Sequence, residues 1–320
     1  MGGGGVVTQG GSLVTPEHLG GLSAEIVRAL GEAREEIDAL NVFPVPDGDT
    51  GTNLFLTFDE AHDVLQSYRE EHPGAGIGEV ALAYKKALLL SARGNSGVIM
   101  SQLFGAMLRR LADPGTDHLP SALAASMVEA TDAAYAAVGT PVEGTILSVA
   151  KAASEAAVLA AAAERATLTG VIRASTARAY AALEATLEQL PQLRSAGVVD
   201  AGARGLVVVL EAIETALTGK RPVGRHYTRK QLPTPAEVPG DDLTEGGPAY
   251  EVMYLLDADD ERVPGLREAL LPLGDSLVVV GGDGLWNVHV HVDDVGAAVE
   301  AGLDAGRPHR IRVTHFAEQL

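Results

Sequence analysis

The chain has 320 residues, 46% hydrophobic and 21% charged, with 43 acidic against 24 basic side chains and a net charge of −19. That length accommodates about two domains, and the acidic balance argues against nucleic-acid binding, which relies on Lys and Arg neutralising phosphates. The absence of cysteine excludes disulfides, thiolate metal sites and thiol nucleophiles and fits a reducing cytoplasm, while no run of about 20 apolar residues is present to span a membrane.

Residues 1–14 are rich in glycine and are expected to be disordered, with no basic-then-apolar leader. From Thr15 the pattern turns helical. Thr15-Pro-Glu17 supplies a capping hydroxyl, a first-turn proline and a first-turn acid. Small and aliphatic residues at three- and four-residue spacing predict helices at 16–40, 51–69, 78–92, 95–112, 119–137, 144–162, 167–188 and 202–218. The first domain, 15–218, is therefore expected to be all-α with eight helices. Aromatics make up only 4% of the chain, so its core calls for closely approaching small-residue helices.

Five prolines between 219 and 248 mark a linker by composition. The hydrophobic period then switches to two. Strands are expected at 250–256, 275–281, 285–292 and 309–315, with helices at 263–272 and 294–305. Gly281-Gly-Asp-Gly284 is a hairpin signal between the second and third strands. The order β-α-β-β-α-β over 249–320 is that of a split βαβ, ferredoxin-like sandwich. His289 and His291, two apart on one strand, face the same side, where two imidazoles can chelate Zn²⁺. The alternative is a structural or interface histidine pair. His309 and His315 read as ordinary surface residues.

Residues 41–53 form the densest functional stretch: Asn-Val-Phe-Pro-Val-Pro-Asp-Gly-Asp-Thr-Gly-Thr-Asn. Asp47 and Asp49, one glycine apart, place hard oxygen ligands around a small region, as Mg²⁺ requires. Counted from Asp47, an EF-hand needs glycine where Thr52 stands and glutamate where Phe58 stands, and no Walker P-loop is present. The loop reads as a metal–phosphate site; the alternative is an Asp/Gly-rich turn that caps the helix starting near Gly51. Three further corners precede helix starts: Ser91-Ala-Arg-Gly-Asn-Ser-Gly97, Gly139-Thr-Pro-Val-Glu-Gly-Thr145 and Val199-Asp-Ala-Gly-Ala-Arg-Gly205. Each alone reads as a cap or a helix-turn-helix corner. Helices running up and down would gather alternate N-termini at one end, where their dipoles converge on one anion.

Four stretches together, Leu40 to Asn53, Ala92 to Val98, Pro141 to Thr145 and Val199 to Leu206, resemble the signature of the bacterial fatty acid kinase A subunit. The N-terminal domain of that family is similar to the DhaL nucleotide-binding domain of dihydroxyacetone kinases, an eight-helix barrel that binds ATP through Mg²⁺. The resemblance implies that Asp47 and Asp49 ligate Mg²⁺, with Asn41 as a third ligand, and that Thr50, Thr52 and Asn53 lie near the phosphates. It assigns Gly94, Asn95, Ser96 and Gly97 to the phosphates or ribose, and Thr145, Asp200 and Gly202 to the nucleotide pocket. Gly274-Asp-Ser-Leu-Val-Val-Val280 and Val288-His-Val-His-Val292 resemble the family's middle domain. Relatives carry a cysteine on the first strand of that domain where this chain has Glu251, so the implied zinc set is Glu251, His289 and His291.

In that family the acyl substrate arrives on a DegV-type fatty-acid-binding protein, and phosphorylation of its carboxylate gives an acyl phosphate. Relatives also carry a further C-terminal domain beyond the position of Leu320, so a short homologue or truncated chain is expected here. Two other functions fit parts of the pattern: a dihydroxyacetone (glycerone) kinase-like phosphotransfer subunit, and a non-catalytic nucleotide-binding scaffold. An exposed sheet in the second domain makes a homodimer the expected assembly.

Overall fold

The computed structural model describes residues 15–112, 119–227 and 248–316. The expected disordered stretch at 1–14, and most of the expected linker, lie outside the described residues. Nine helices precede the sheet among the described residues: α1 (Pro16–Leu40), α2 (Thr50–Glu71), α3 (Ile77–Ser91), α4 (Gly94–Ala112), α5 (Leu119–Ala137), α6 (Ile146–Ala161), α7 (Leu168–Gln189), α8 (Pro191–Ala196) and α9 (Ala201–Thr218). The sequence reading expected eight. The addition is α8, where six residues are too few for a helical period to register. Pro191 starts α8, and Gly197, in the left-handed region at φ 67°, ends it.

Local chemistry sets the other helix ends. Thr15 and His18 form a reciprocal capping box around the first turn of α1. Thr167 caps α7 by accepting from the Gly170 N–H, and Asp200 caps α9 by accepting from the Ala203 N–H. The eight long helices form a closed ring: each packs on the next, α7 passes to α9 across α8, and α9 returns to α1. Leu54, Phe58, Tyr84, Val98 and Phe104 fill the interior, with Phe104 set edge-on to both Phe58 and Tyr84.

The second unit is a four-stranded antiparallel sheet: β1 (Tyr250–Asp257), β2 (Gly274–Gly282), β3 (Leu285–Val292) and β4 (Arg307–His315), in the order β2-β3-β1-β4. Helices α10 (Val263–Leu270) and α11 (Val295–Ala305) complete the expected βαββαβ order. The β2–β3 turn places Asp283 at φ 55° and Gly284 at φ 84°, two consecutive left-handed residues of the kind two-residue hairpins favour.

Alternation divides the sheet into two apolar faces. Val252, Tyr254, Leu256, Val288 and Val290 form a core with Val263, Leu266, Leu270 and Ala298 of the two helices. On the other face, Met253, Val278 and Val280 join the core of the helical unit. The docking is also hydrogen-bonded. Asn287 Nδ2 donates to the Leu89 carbonyl (3.0 Å), the Gly139 N–H donates to the Leu277 carbonyl (2.8 Å), and Val138 bridges to Val278.

His309 and His315 are half-buried: His309 lies 3.3 Å from an Asp257 carboxylate oxygen, and His315 packs edge-on against Tyr250. The start of the expected linker, 219–227, is fastened to the helices. Arg221 pairs with Glu32, Arg225 with Glu184 and His226 with Glu36, while the buried Arg204 donates to the Arg225 carbonyl. Composition marks such a stretch as a linker; its cations tie it to acids on α1 and α7.

Candidate active site

The 41–49 loop leaves α1 at its C-terminus and enters α2. Asn41 closes α1, donating its backbone N–H to the Asp38 carbonyl, and its side-chain amide donates to Asp47 Oδ1. Gly48, at φ 69°, makes the turn that sets the two aspartates side by side. Asp49 stands at the N-cap position of α2 but makes no side-chain cap hydrogen bond. The reading of this loop as a helix cap therefore fails for Asp49, whose carboxylate is turned to the Asn53 side chain and Asp47 instead.

Burial raises both carboxyls above the ordinary aspartate range; the Asp49 charge raises Asp47 further, while the Asn53 hydrogen bond opposes the rise at Asp49. Two half-buried carboxylates in contact are an arrangement a divalent cation relieves.

The corner between α3 and α4 lies against this loop. Gly94 has φ 56°, and a Cβ there would meet Asn53 Nδ2 at 2.6 Å. Thr57, which the sequence reading did not single out, holds the corner. Its Oγ1 donates to the Asn53 carbonyl (2.6 Å) and accepts from the Arg93 N–H (3.1 Å), while Ser91 Oγ donates to the Thr57 carbonyl (3.0 Å). Gly97 packs against Thr57, where a Cβ would come within 2.6 Å of its Oγ1. The start of α9 is the next neighbour: a Cβ on Gly202 would lie 3.4 Å from Ser96 Oγ and 3.6 Å from Ile146 Cβ. Asp200 accepts from the backbone of both Ala203 and Ile146. The N-termini of α2, α4, α6 and α9 thus gather at one end of the helical ring.

The sheet closes this end. A cavity of about 40 Å³ is lined by Asn41, Asp47, Asp49, Thr50, Asn53 and Gly94–Ser96 on the helical side, and by Glu251, His289 and His291 from β1 and β3. Glu251 and His291 are register partners across β1 and β3, and Met253 pairs with His289. The ligand atoms of Glu251, His289 and His291 lie within 4.8 Å of one another, and the two Nε2 atoms are 3.1 Å apart. Ligands on a tetrahedral zinc with bonds of about 2.0–2.1 Å stand at a comparable separation, roughly 3.3 Å.

Burial, and then the neighbouring His291, hold His289 well below the ordinary histidine value, so its imidazole is neutral as a metal ligand must be. Its Nδ1 lies 3.5 Å from Glu251 Oε1, within ion-pair reach but without hydrogen-bond geometry, and is otherwise a buried atom with no partner. Asp275, within the Gly274–Val280 stretch quoted above, lies 3.4 Å from His291 Nδ1 and orients that ring. It stands opposite His291 in the β2–β3 register. The donor set fits a metal ion.

Five residues assigned from sequence lie outside this cavity. Thr52 is turned to α1, where its backbone N–H and hydroxyl both donate to Asp38 (2.9 and 2.7 Å) and its hydroxyl accepts from Arg34 (3.0 Å). Steric demand explains the tight seating, since a Cβ on Gly51 would strike the Arg34 carbonyl at 2.2 Å. Gly97 packs on Thr57, as above. Thr145 donates its hydroxyl to the Val142 carbonyl (2.8 Å), and Asp200 caps α9. Gly202 borders the site through Ser96 without lining the cavity.

Residues 44–215 match the DAK2 domain family, and residues 247–320 match the fatty acid kinase A-subunit-like middle domain. The chain belongs to the DAK2 domain family and carries the middle domain of fatty acid kinase A-type proteins. It is 36% identical to Protein YloV of Bacillus subtilis (strain 168) over 311 residues, covering 91% of this chain and 53% of that protein. A Staphylococcus haemolyticus protein is 36% identical over 293 residues, covering 88% of this chain and 52% of the relative. The chain spans about half the length of these relatives. Among solved structures, the native dihydroxyacetone kinase of C. freundii aligns at a TM-score of 0.44 and 20% identity, over 68% of this chain and 38% of that one. No helix among the described residues is long and apolar enough to cross a membrane.

Proposed function

We propose that the chain is the nucleotide-handling part of an ATP- and Mg²⁺-dependent phosphotransferase subunit that phosphorylates the carboxylate of a fatty acid presented by a DegV-type binding protein. One observation carries the reading. Asp47 and Asp49, from a loop of the helical unit, and Glu251, His289 and His291, from the sheet, line one cavity although some 200 residues separate them in the chain. Family membership in both units supports the same conclusion, and the closed helical ring reads as the eight-helix barrel of the DhaL type with α8 as an added turn.

In this reading Asp47, Asp49 and Asn41 hold Mg²⁺, which when bound neutralises charge on the transferring phosphate. Thr50, Asn53 and Gly94–Ser96 face the terminal phosphates. At about 40 Å³ the cavity has room for a cation and phosphate oxygens. The rest of the nucleotide then lies toward Gly202 and the starts of α6 and α9. Glu251, His289 and His291 hold a second metal, zinc by donor type.

The chemistry asks no protein nucleophile. A carboxylate oxygen attacks the γ-phosphorus, the bond from that phosphorus to the β,γ-bridging oxygen breaks, and ADP leaves with the electron pair; no proton needs to be removed. Localisation in the cytoplasm, exclusion of nucleic acid and assembly as a homodimer belong to the same proposal.

The test is transfer of labelled γ-phosphate to fatty acid on a DegV-type partner. Wild-type chain should yield acyl phosphate in a Mg²⁺-dependent reaction. Asp47→Asn and Asp49→Asn should each lower it by about 10²-fold or more, with an unchanged helical circular dichroism signal. Equal nucleotide affinity and equal turnover in both variants would sink the assignment. Mg-ATP binding with no transfer to any acyl acceptor would favour the scaffold reading.

A further inference from the structure

The face of β1 that presents Glu251 to the cavity continues to Met253 and Leu255, and there it opens onto a second cleft, of about 70 Å³. The elements around the two are shared. At the start of α4, Arg93 stands on the cleft and Gly94–Ser96 on the cavity. On β3, Asn287 stands on the cleft and His289 and His291 on the cavity. Arg310 and Arg312, from β4, supply the remaining wall, and Glu60 is the one carboxylate among the lining residues.

This is a local inversion of charge in a chain of net charge −19. Arg93 is paired with Glu60 at 3.0 Å. Arg310 and Arg312 are exposed and make no hydrogen bond or ion pair among the described residues, while the Arg312 charge is felt by Glu251 on the neighbouring strand. The backbone is shaped around them. The β1–β4 register shifts between Met253 and Leu255, and Arg310 sits in that bulge with φ 51°, a conformation bulky side chains rarely adopt. Bulges of this kind re-aim side chains beside functional sites.

Two polar atoms here are buried without a partner: Arg93 Nε, a donor, and Asn287 Oδ1, an acceptor on a residue only 3% exposed. Such atoms are rare in folded proteins; they lie behind the cleft wall, and the groups that face an occupant are the exposed guanidiniums of Arg310 and Arg312. The cleft holds roughly two waters' worth of volume, at about 30 Å³ each. A carboxylate head group fits that space. Guanidinium forks match carboxylates in shape and charge.

We propose that this cleft is an acceptor-anion subsite, in which Arg310 and Arg312, backed by Arg93, hold the carboxylate head group of the acyl substrate beside the phosphate cavity while its alkyl chain stays outside. The assignment rests on the phosphotransfer reading for its role, though not for its chemistry. Arg310 and Arg312 act as positioning residues.

The experiment titrates the intact chain with sodium octanoate and, separately, with inorganic phosphate, by NMR, alongside Mg-ATP binding by calorimetry. Octanoate should bind the wild-type chain. In Arg310→Gln/Arg312→Gln its affinity should fall about tenfold or more, the scale of a lost charge-assisted contact, and Mg-ATP affinity should not change. Arg312→Lys should recover part of the loss. Three results overturn the proposal: no octanoate binding by wild type, equal octanoate affinity in the double variant, or an Arg-dependent response to phosphate alone. If the double variant fails to fold, Arg312→Gln, outside the bulge, gives the same readout. Arg-dependent octanoate binding in a chain that binds no Mg-ATP would support the cleft and sink the kinase reading, so the two fail separately.

Discussion

The two walls of the cavity are built by different means. The acid wall is local: Asn41, Asp47, Asp49, Thr50 and Asn53 come from one loop and the helix turn after it, and Thr57 and Gly94 hold the neighbouring corner in place. The histidine wall is remote. Its three residues are set in register by β1 and β3, and they reach the cavity because Asn287, Val278 and Met253 dock the sheet onto the helices. One wall can therefore form without the other. The acid wall should govern nucleotide and Mg²⁺ affinity, and the histidine wall what happens to the phosphate afterward.

His289→Ala is the strongest way to break this division. His289 is 1% exposed and central to the cluster. Its removal should lower phosphotransfer by about 10²-fold or more and abolish bound zinc on elemental analysis, while calorimetry finds Mg-ATP affinity within about threefold of wild type, under 1 kcal/mol. A parallel loss of nucleotide affinity would mean that the walls act as one unit. Full turnover and unchanged metal content would remove the histidine wall from the function altogether.

How far each wall was legible follows from the same contrast. The Asp47/Asp49 loop lies within one short stretch whose residue types already state their chemistry. The split βαβ order was readable because period-two runs alternate with helical ones, and the left-handed hairpin at Asp283 and Gly284 has its usual residues. What could not be read was tertiary. No local pattern places His289 opposite Asp49, because that depends on which face of the sheet docks. Thr52 illustrates the same limit. Its hydroxyl suits a phosphate, yet Asp38 and Arg34, one turn apart on α1, bind it first. Thr57 and Asp275 show no role from local pattern, because their contacts with Arg93 and His291 join residues distant in the chain.

Gly94→Ala sharpens the comparison from the acid side. The residue occupies φ 56°, and a Cβ would meet Asn53 Nδ2 at 2.6 Å. The left-handed conformation alone costs a non-glycine residue about 1–2 kcal/mol, and Asn53 must move away from Asp49 as well. Mg-ATP affinity should fall about tenfold, with a modest loss of thermal stability and unchanged zinc content. If zinc were lost too, the docked sheet would be sensing the α3–α4 corner, and the independence of the two walls would be wrong.

The smallest expected effect concerns Asp200, which lies behind the acid wall and caps α9. Burial pushes its carboxyl up to about 6, against the hydrogen bonds from the Ala203 and Ile146 N–H groups that favour the charge. A carboxyl raised in the folded state contributes stability that is fully present below its unfolded value and is lost as pH rises through the folded one. Wild-type stability should therefore decline between about pH 4 and pH 6 through this group and level off above it. Asp200→Asn keeps an acceptor for the Ala203 N–H and carries no charge to bury, so it should escape that decline. Thermal melts should show the two proteins close together at pH 4 and the Asn variant ahead at pH 7, by on the order of 1 kcal/mol. A wild-type advantage that grows with pH would mean that the ionised carboxylate is satisfied where it stands, and that the start of α9 holds its charge for the site in front of it.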